Sequence, residues 1–185
     1  MFCSNCGEAL GSAPPVECGA CGVFHWQNAK PCAGAVVTND GRLLLVRRAQ
    51  NPWRGFWDVP GGFCEPGEHP IETAAREVFE ETGVSVDIIG FLGMWLDEYG
   101  DDAATTKSTL NIYYHAVPRT TGGVLGVADP REVSEIAWFA VDALPSRNEL
   151  AFPQHTVSAL DAWRIASRQG QLTSPLLDHP NRPPA

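Results

Sequence analysis

Four of the six cysteines fall within the first 21 residues, and their spacing constrains this chain more than any other feature. They form Cys3-Ser4-Asn5-Cys6-Gly7 and Cys18-Gly19-Ala20-Cys21-Gly22, two CxxCG hooks separated by eleven residues. Each hook can set two thiolates on one ion, and the glycine after it permits the tight turn that aims backbone N–H groups at sulfur. Together Cys3, Cys6, Cys18 and Cys21 complete a closed tetrahedral set, which predicts structural zinc. So short a segment cannot bury enough apolar surface to fold alone, and the metal would supply its folding energy. Two disulfides in a secreted domain are the competing reading. Against it stand Cys32 and Cys64, which have no evident partners, and a start, Met1-Phe2-Cys3-Ser4, without the basic-then-apolar pattern of a secretion signal. A cytoplasmic chain is expected. Four thiolates leave no open position for chemistry, so function must be sought further along.

The remaining residues suit one domain. The chain has 185 residues, with 19% charged and 44% hydrophobic, as a globule with a core requires. No run approaches the ~18 apolar residues of a membrane span. Net charge is −9, and residues 1–29 contain no Lys or Arg, so direct nucleic-acid binding by the cysteine segment is not expected. The expected boundaries are a ribbon over 1–30, a main domain over 31–170 and a proline-rich disordered tail over 171–185.

Local patterns give the elements. Ala33 to Thr38 is small and β-branched, Asn39-Asp40-Gly41 is a hairpin signal, and Leu43 to Val46 reads as a buried strand. Trp57 to Val59 is a short extended piece stopped by Pro60-Gly61-Gly62. Pro70 suits a first helical position and Gly83 a left-handed stop, which predicts a helix over 70–82 that buries Ile71, Ala75, Val78 and Thr82. One or two strands are expected over 84–96, a polar loop over 97–108, a half-buried strand over 110–116, another strand over 135–141 and a helix over 153–168. Strands on both sides of one central helix predict an α/β (α+β) domain.

The predicted helix carries the chemistry. Glu77, Glu80 and Glu81 stand at i, i+3 and i+4 and share one strip of its surface. Three like charges so close destabilise one another unless something positive sits among them. Arg76 can reach Glu80 or Glu68, but one arginine does not neutralise the set, whereas a hard divalent cation would. A solvated acidic face is the bland alternative. The glycine-rich loop before the helix and Gly83 after it weigh against that.

From Gly62 to Val84 the sequence resembles the Nudix box, Gly-x5-Glu-x7-Arg-Glu-U-x-Glu-Glu-x-Gly-U, where U is bulky and apolar. Gly62, Glu68, Arg76, Glu77, Val78, Glu80, Glu81, Gly83 and Val84 fill its defined positions across 23 residues. The flanking pattern is also similar, over roughly residues 33–170, and the hooks resemble the zinc ribbon of NADH-pyrophosphatase-like members. The resemblance implies a Nudix α/β/α sandwich with a mixed sheet, preceded by a small four-cysteine zinc ribbon. It also implies hydrolysis of a nucleoside diphosphate linked to another moiety, with Mg2+ or Mn2+ as cofactor and a small-molecule nucleotide diphosphate as partner. Carried over by position, Glu80, Glu81 and the Gly61 carbonyl are metal ligands, Glu77 is a ligand or the base, and Glu68 and Arg76 tie loop to helix. A further acid from a later loop is expected at Glu132, with Glu135 in reserve.

Arg47 and Arg48 are candidates for phosphate, and Trp53 and Phe56 for stacking on a base, each against a plain structural role. Trp57 is weighed with Trp53 and Phe56 in the same way, core packing being the favoured reading for all three; Cys64 is read as filler, and no histidine is nominated. The Ser-Gln-Pro-Trp-Pro-Phe-Pro-type segment of NADH pyrophosphatases has no equivalent here; Ala151-Phe152-Pro153-Gln154 is a fragmentary echo. ADP-ribose or a nucleotide sugar is therefore expected ahead of NADH. A nucleotide-sensing module whose ribbon contacts protein is the alternative function. The ribbon is expected either to brace the fold or to help a homodimer form.

Overall fold

The computed structural model describes residues 1–100, 107–120, 126 and 129–172. The expected disordered tail lies almost wholly outside them. Two short strands, β1 (Val16–Glu17) and β2 (Phe24–His25), pair in the cysteine segment. Next come β3 (Lys30–Asn39), β4 (Arg42–Arg48), β5 (Trp57–Asp58), β6 (Gly61–Phe63) and helix α1 (Pro70–Thr82). Strands β7 (Val86–Tyr99), β8 (Lys107–Pro118) and β9 (Val133–Ala140) follow, then helix α2 (Thr156–Gln169). Among the described residues no helix is long and apolar enough to cross a membrane.

The sheet runs β5-β4-β3-β8-β7, with β6 also on β3 and β9 on β4. Only the β3–β8 pairing is parallel, so the sheet is mixed. Successive side chains of a strand face opposite ways, and the core divides accordingly. Ala33, Ala35 and Val37 of β3, Leu44 of β4 and Tyr114 and Ala116 of β8 pack with Ala74 and Val78 of α1. Val36, Leu43, Leu45 and Tyr113 pack on the other face with Val157, Leu160 and Trp163 of α2. A sheet covered on both faces needs a continuous apolar strand, which is why Leu43 to Val46 does not alternate. The result is the expected α/β/α sandwich.

Helix α1 begins and ends where Pro70 and Gly83 place it. Its N-cap is His69, whose Nδ1 accepts from the Ile71 N–H, while Glu72 accepts from the His69 N–H. Gly83 closes it at φ 72°. Its buried face centres on Thr73, Ala74, Val78 and Thr82; Ile71 and Ala75 are only half-buried, so the expected stripe is rotated. The other departures have physical causes. Of the one or two strands expected over 84–96 the structure has one, β7, with two bulges, at Ile88/Gly90 and Phe91/Gly93. Tyr99 and Lys107 pair, so strand replaces part of the expected loop at both of its ends. Gly61-Gly62 is a strand, β6, because glycine lets it lie against β3. A Cβ on Gly61 would meet the Gly34 Cα at 2.7 Å, and one on Gly34 would meet the Pro60 carbonyl oxygen at 2.6 Å. Helix α2 starts at Thr156, after a turn in which Phe152 takes φ 45°.

Candidate active site

The cysteine hooks close on each other. The four sulfurs of Cys3, Cys6, Cys18 and Cys21 lie within 4.8 Å of one another, with Cys3 and Cys18 buried. The two hooks are built alike. Gly7 (φ 77°) and Gly22 (φ 71°) donate N–H bonds to the Cys3 and Cys18 carbonyls at 2.9 and 2.8 Å. The backbone N–H groups of Glu8 and Val23 then aim at the Cys6 and Cys21 sulfurs. His25 Nε2 sits 3.2 Å from the Cys3 sulfur. Soft donors, tetrahedral in number and shielded on one side, could hold zinc.

The carboxylates are arranged differently. A cleft of about 560 Å³ runs between the β6 loop and α1, lined by Gly61, Gly62, Glu65, Arg76, Glu77, Glu81, Arg48, Tyr99 and Glu132. Glu81 accepts the Gly61 N–H at 3.0 Å, so the backbone presents a donor to this carboxylate. Burial, then the charges of Asp58 and Glu77, hold its pKa well above the ordinary range, against the pull of that N–H and of Arg48. Burial also raises Glu77, opposed by Arg76, and the charges of Glu80 and Glu132 add to the rise. Glu132 therefore faces the same cleft as Glu77 and Glu81, whereas Glu135 turns away to Arg47 at 3.1 Å.

Arg76 ties the loop to the helix. Its guanidinium contacts both Glu68 oxygens, at 2.8 and 3.0 Å, and reaches Glu77 and Glu80 at 2.8 Å each. It also donates to the Phe63 carbonyl. Glu68 accepts as well from Thr73 and from the Glu65 N–H, and Arg76 chiefly lowers its pKa to about 2. One arginine thus engages three carboxylates, more than sequence reasoning allowed, but makes no contact with Glu81 or Glu132. Glu80 is exposed and does not line the cleft. Among the described residues only the cysteines gather ligand atoms tightly enough to pre-form a metal site. The hard oxygens of Glu77, Glu81 and Glu132 in one recess fit a hard divalent cation, which would have to draw them together. Gly62 is needed here, since a Cβ on it would sit 2.6 Å from the Glu77 carboxylate.

A narrower recess of about 60 Å³ continues past Gly61 and Phe63 to Asn111, Tyr113, Phe152 and His155. Arg48 reaches into it. Its guanidinium lies 4.8 Å from the Phe152 ring and 6.0 Å from the Tyr99 ring, and pairs with Asp58 at 3.4 Å. Buried Asp58 also accepts from Thr156 Oγ1. His155 stacks on Phe152 and pairs with Asp97 at 2.8 Å. Burial disfavours the Asp97 charge, but the His155 bond and the Glu98 N–H outweigh it and lower the pKa. Arg47 points away, to Gly55, Glu135 and the Trp57 ring. Trp53 and Phe56 pack on each other at 5.2 Å and line neither recess.

Sequence reasoning passed over Asp58, Tyr99, Phe152, His155 and Thr156. The Ala151-Phe152-Pro153-Gln154 echo was the only signal for the last turn before α2.

A model of the NUDIX domain matches residues 29–160. A MutT-like protein of Streptomyces ambofaciens is 34% identical over 129 residues, 70% of this chain and 75% of that one. The NAD-capped RNA hydrolase NudC of Stutzerimonas stutzeri is 31% identical over 156 residues, 81% of this chain, which spans about half (52%) of that protein's length. An ADP-ribose pyrophosphatase of Methanocaldococcus jannaschii is 30% identical over 122 residues, 66% of each chain. The crystal structure of a NUDIX hydrolase from Nitrosomonas europaea superposes with a TM-score of 0.74 at 27% identity, covering 93% of this chain and 94% of its own. The matched span contains the whole box and strands β3 to β9, and on that ground the chain belongs to the Nudix family.

Proposed function

We propose that the chain hydrolyses the pyrophosphate bond of a nucleoside diphosphate joined to another moiety, with ADP-ribose or a nucleotide sugar preferred over NADH. One observation carries the reading: Glu77, Glu81 and Glu132 face one cleft beside the Gly61 backbone, with more negative charge than Arg76 and Arg48 offset. An anionic substrate cannot enter such a cleft without a cation. Mg2+ or Mn2+ held by Glu81, Glu77 and Glu132 would neutralise the diphosphate and lower the pKa of the attacking water.

The chain's own groups do the rest. Glu81 is fixed by the Gly61 N–H and serves as principal ligand. Glu77 has a pKa raised by burial; it would hold the ion through one carboxylate oxygen and with the other take the proton of the water whose oxygen attacks phosphorus in line. The P–O bond to the bridging oxygen breaks, and two monophosphate esters leave. Glu68 and Arg76 position Glu77. Arg48, on the wall shared by both recesses, meets a phosphate oxygen while Tyr99 and Phe152 offer apolar surface to the rest of the substrate. The ribbon, residues 1–30, takes zinc and has a structural role; residues 31–170 form the hydrolase domain.

Two relatives support the substrate class by their names, one an ADP-ribose pyrophosphatase and one an NAD-capped RNA hydrolase. The test is product analysis with Mg2+ or Mn2+ on ADP-ribose, NADH, dinucleoside polyphosphates, nucleotide sugars and nucleoside triphosphates. Release of AMP from ADP-ribose is expected. Inertness across the panel would favour a nucleotide sensor instead.

A further inference from the structure

The narrower recess beyond Gly61 holds an imidazole that the hydrolysis leaves unused. His155 is 5% exposed and lines this recess. Its Nδ1 lies 2.8 Å from an Asp97 carboxylate oxygen. A carboxylate only accepts, so Nδ1 carries the proton and Nε2 of the neutral ring presents a lone pair. Among the described residues Nε2 has no hydrogen-bond partner, and it is not sealed in the core.

The ring is not free to turn and find one. It stacks on Phe152 at 4.7 Å and on Tyr113 at 5.8 Å, at interplanar angles of 23° and 21°. The turn that carries it is pinned as well. The Phe152 carbonyl accepts from the His155 and Thr156 N–H groups, and Thr156 Oγ1 donates to Asp58. Phe152 holds φ 45° there, a strained conformation for a bulky residue that persists only where its surroundings impose it. Strand β8 supplies a second acceptor. Asp97 of β7 pairs with Thr109, and Thr109, Asn111 and Tyr113 alternate along β8, so all four side chains leave the sheet on the recess side. Asn111 is buried and lines the recess, and its Nδ2 donates to Thr109 Oγ1 at 2.9 Å. Its Oδ1 has no partner among the described residues.

Two fixed, unspent acceptors thus line a space of about 60 Å³, room for roughly four water-sized atoms. That is too small for a purine or nicotinamide ring and enough for the hydroxyl edge of a sugar. The recess shares Arg48, Gly61, Gly62, Phe63 and Tyr99 with the carboxylate cleft, so the two are continuous.

We propose that His155, fixed by Asp97, and Asn111 form a specificity site for a sugar diol of the substrate, whose hydroxyl protons go to His155 Nε2 and Asn111 Oδ1. The inference rests on the hydrolase reading and deepens it, by placing a hydroxyl-bearing sugar in this recess. A group without those hydroxyls would leave buried acceptors unpaired, which is what makes such a site selective. ADP-ribose offers two sources of the diol, the ribose of its nucleoside and its terminal ribose.

The first test uses wild type and needs no turnover. The 15N resonances of His155 are followed as α,β-methylene ADP-ribose is added with Mg2+. The Nε2 resonance is expected to move upfield as it accepts a hydroxyl proton, with Nδ1 little changed. Binding seen at other protein signals, with Nε2 unmoved, overturns the site and leaves the hydrolase reading standing. The second test compares kcat/KM for ADP-ribose with that for two 2-deoxy analogues, one altered in the nucleoside ribose and one in the terminal ribose. Wild type is expected to use one analogue about 10- to 100-fold less well, and that analogue names the sugar. D97N/H155F removes the acceptor without leaving Asp97 as an unpaired buried charge, and there the preference is expected to fall close to unity. A merely structural His155 would lower all three substrates alike. A preference that survives in the variant, or is absent from wild type, overturns the proposal. No binding and no turnover with any of the three would instead remove the hydrolase reading, and the diol site with it.

Discussion

The two clusters of potential metal ligands in this chain are arranged in opposite ways. In the ribbon, four sulfurs stand within 4.8 Å of one another. In the carboxylate cleft, Glu77 is drawn to Arg76, which also holds Glu80 outside the cleft, while Glu81 is held by the Gly61 N–H. The difference follows from what fixes each donor. CxxCG hooks are short covalent turns, so their sulfurs converge as soon as the turns form. The carboxylates hang from one helix and one later loop, repel one another, and settle on whatever positive group is near. A closed soft site suits a permanent ion. An acidic cleft whose carboxylates are not drawn together suits an ion that comes with substrate and gives way to products.

The largest effect that would separate the two centres is on turnover. Glu81→Gln is expected to fold and to lower kcat by about 10²–10³-fold, the scale of losing one preorganised electrostatic partner. Near-wild-type kcat at saturating Mg2+ would break the comparison. Gly62→Ala should follow, with about a 10–100-fold loss, because its Cβ displaces the Glu77 carboxylate. That loss should appear in kcat with Tm little changed; a large fall in Tm would instead mark Gly62 as a folding residue.

The ribbon should respond in the reverse way. Cys18→Ser removes a buried ligand, so metal analysis is expected to give no zinc and hydrogen exchange to show residues 1–29 unprotected, while residues 31–170 stay folded. Full zinc content in that variant would contradict the four-thiolate assignment.

Smaller effects concern stability and pH. Arg76 holds the Glu68 pKa down from 4.5 to about 2, so this contact stabilises the fold fully above the unfolded value and the contribution is lost as pH falls toward 2. Glu68→Ala should cost roughly 2 kcal/mol at pH 7, below the ~3–5 kcal/mol of breaking a fully buried pair because Arg76 stays partly solvated, and much less near pH 2 in denaturant melts. Glu81 has the opposite sign. Its folded pKa lies above the unfolded one, so its stability contribution is complete below the unfolded pKa and is lost as pH rises through the folded value. Without divalent metal at neutral pH, Glu81→Gln should therefore raise Tm, by about 2–4 °C for each kcal/mol relieved. An unchanged or lower Tm would mean the carboxylate is less desolvated than its place behind Gly61 implies.

What could be read from sequence divides along the same line. The hooks and the box are local patterns with fixed spacing, so Cys3 to Cys21 and Gly62 to Val84 were visible as chemistry, and Pro70 and Gly83 bounded α1. Glu132 was reached only as the expected acid of a later loop, and its place across from Glu77 is a matter of tertiary packing. Asp58, Tyr99, Phe152 and His155 come from β5, β7 and the turn before α2, and nothing in their neighbours announces that they meet. Arg47 and Arg48 look equivalent in sequence. A shift in strand register separates their partners, and sequence alone does not show it. Strand β6 was hidden for a similar reason, because Gly61-Gly62 reads as a turn until Gly34 is seen against it.

The central claim is that Glu77, Glu81 and Glu132 hold a divalent cation in the cleft beside Gly61. Anomalous diffraction from crystals soaked in Mn2+ tests it most directly. A manganese peak in the cleft lined by Glu77, Glu81 and Glu132 in wild type, lost in Glu81→Gln crystals, is the predicted result. Manganese absent from that cleft, or bound there equally well by the variant, would contradict the account.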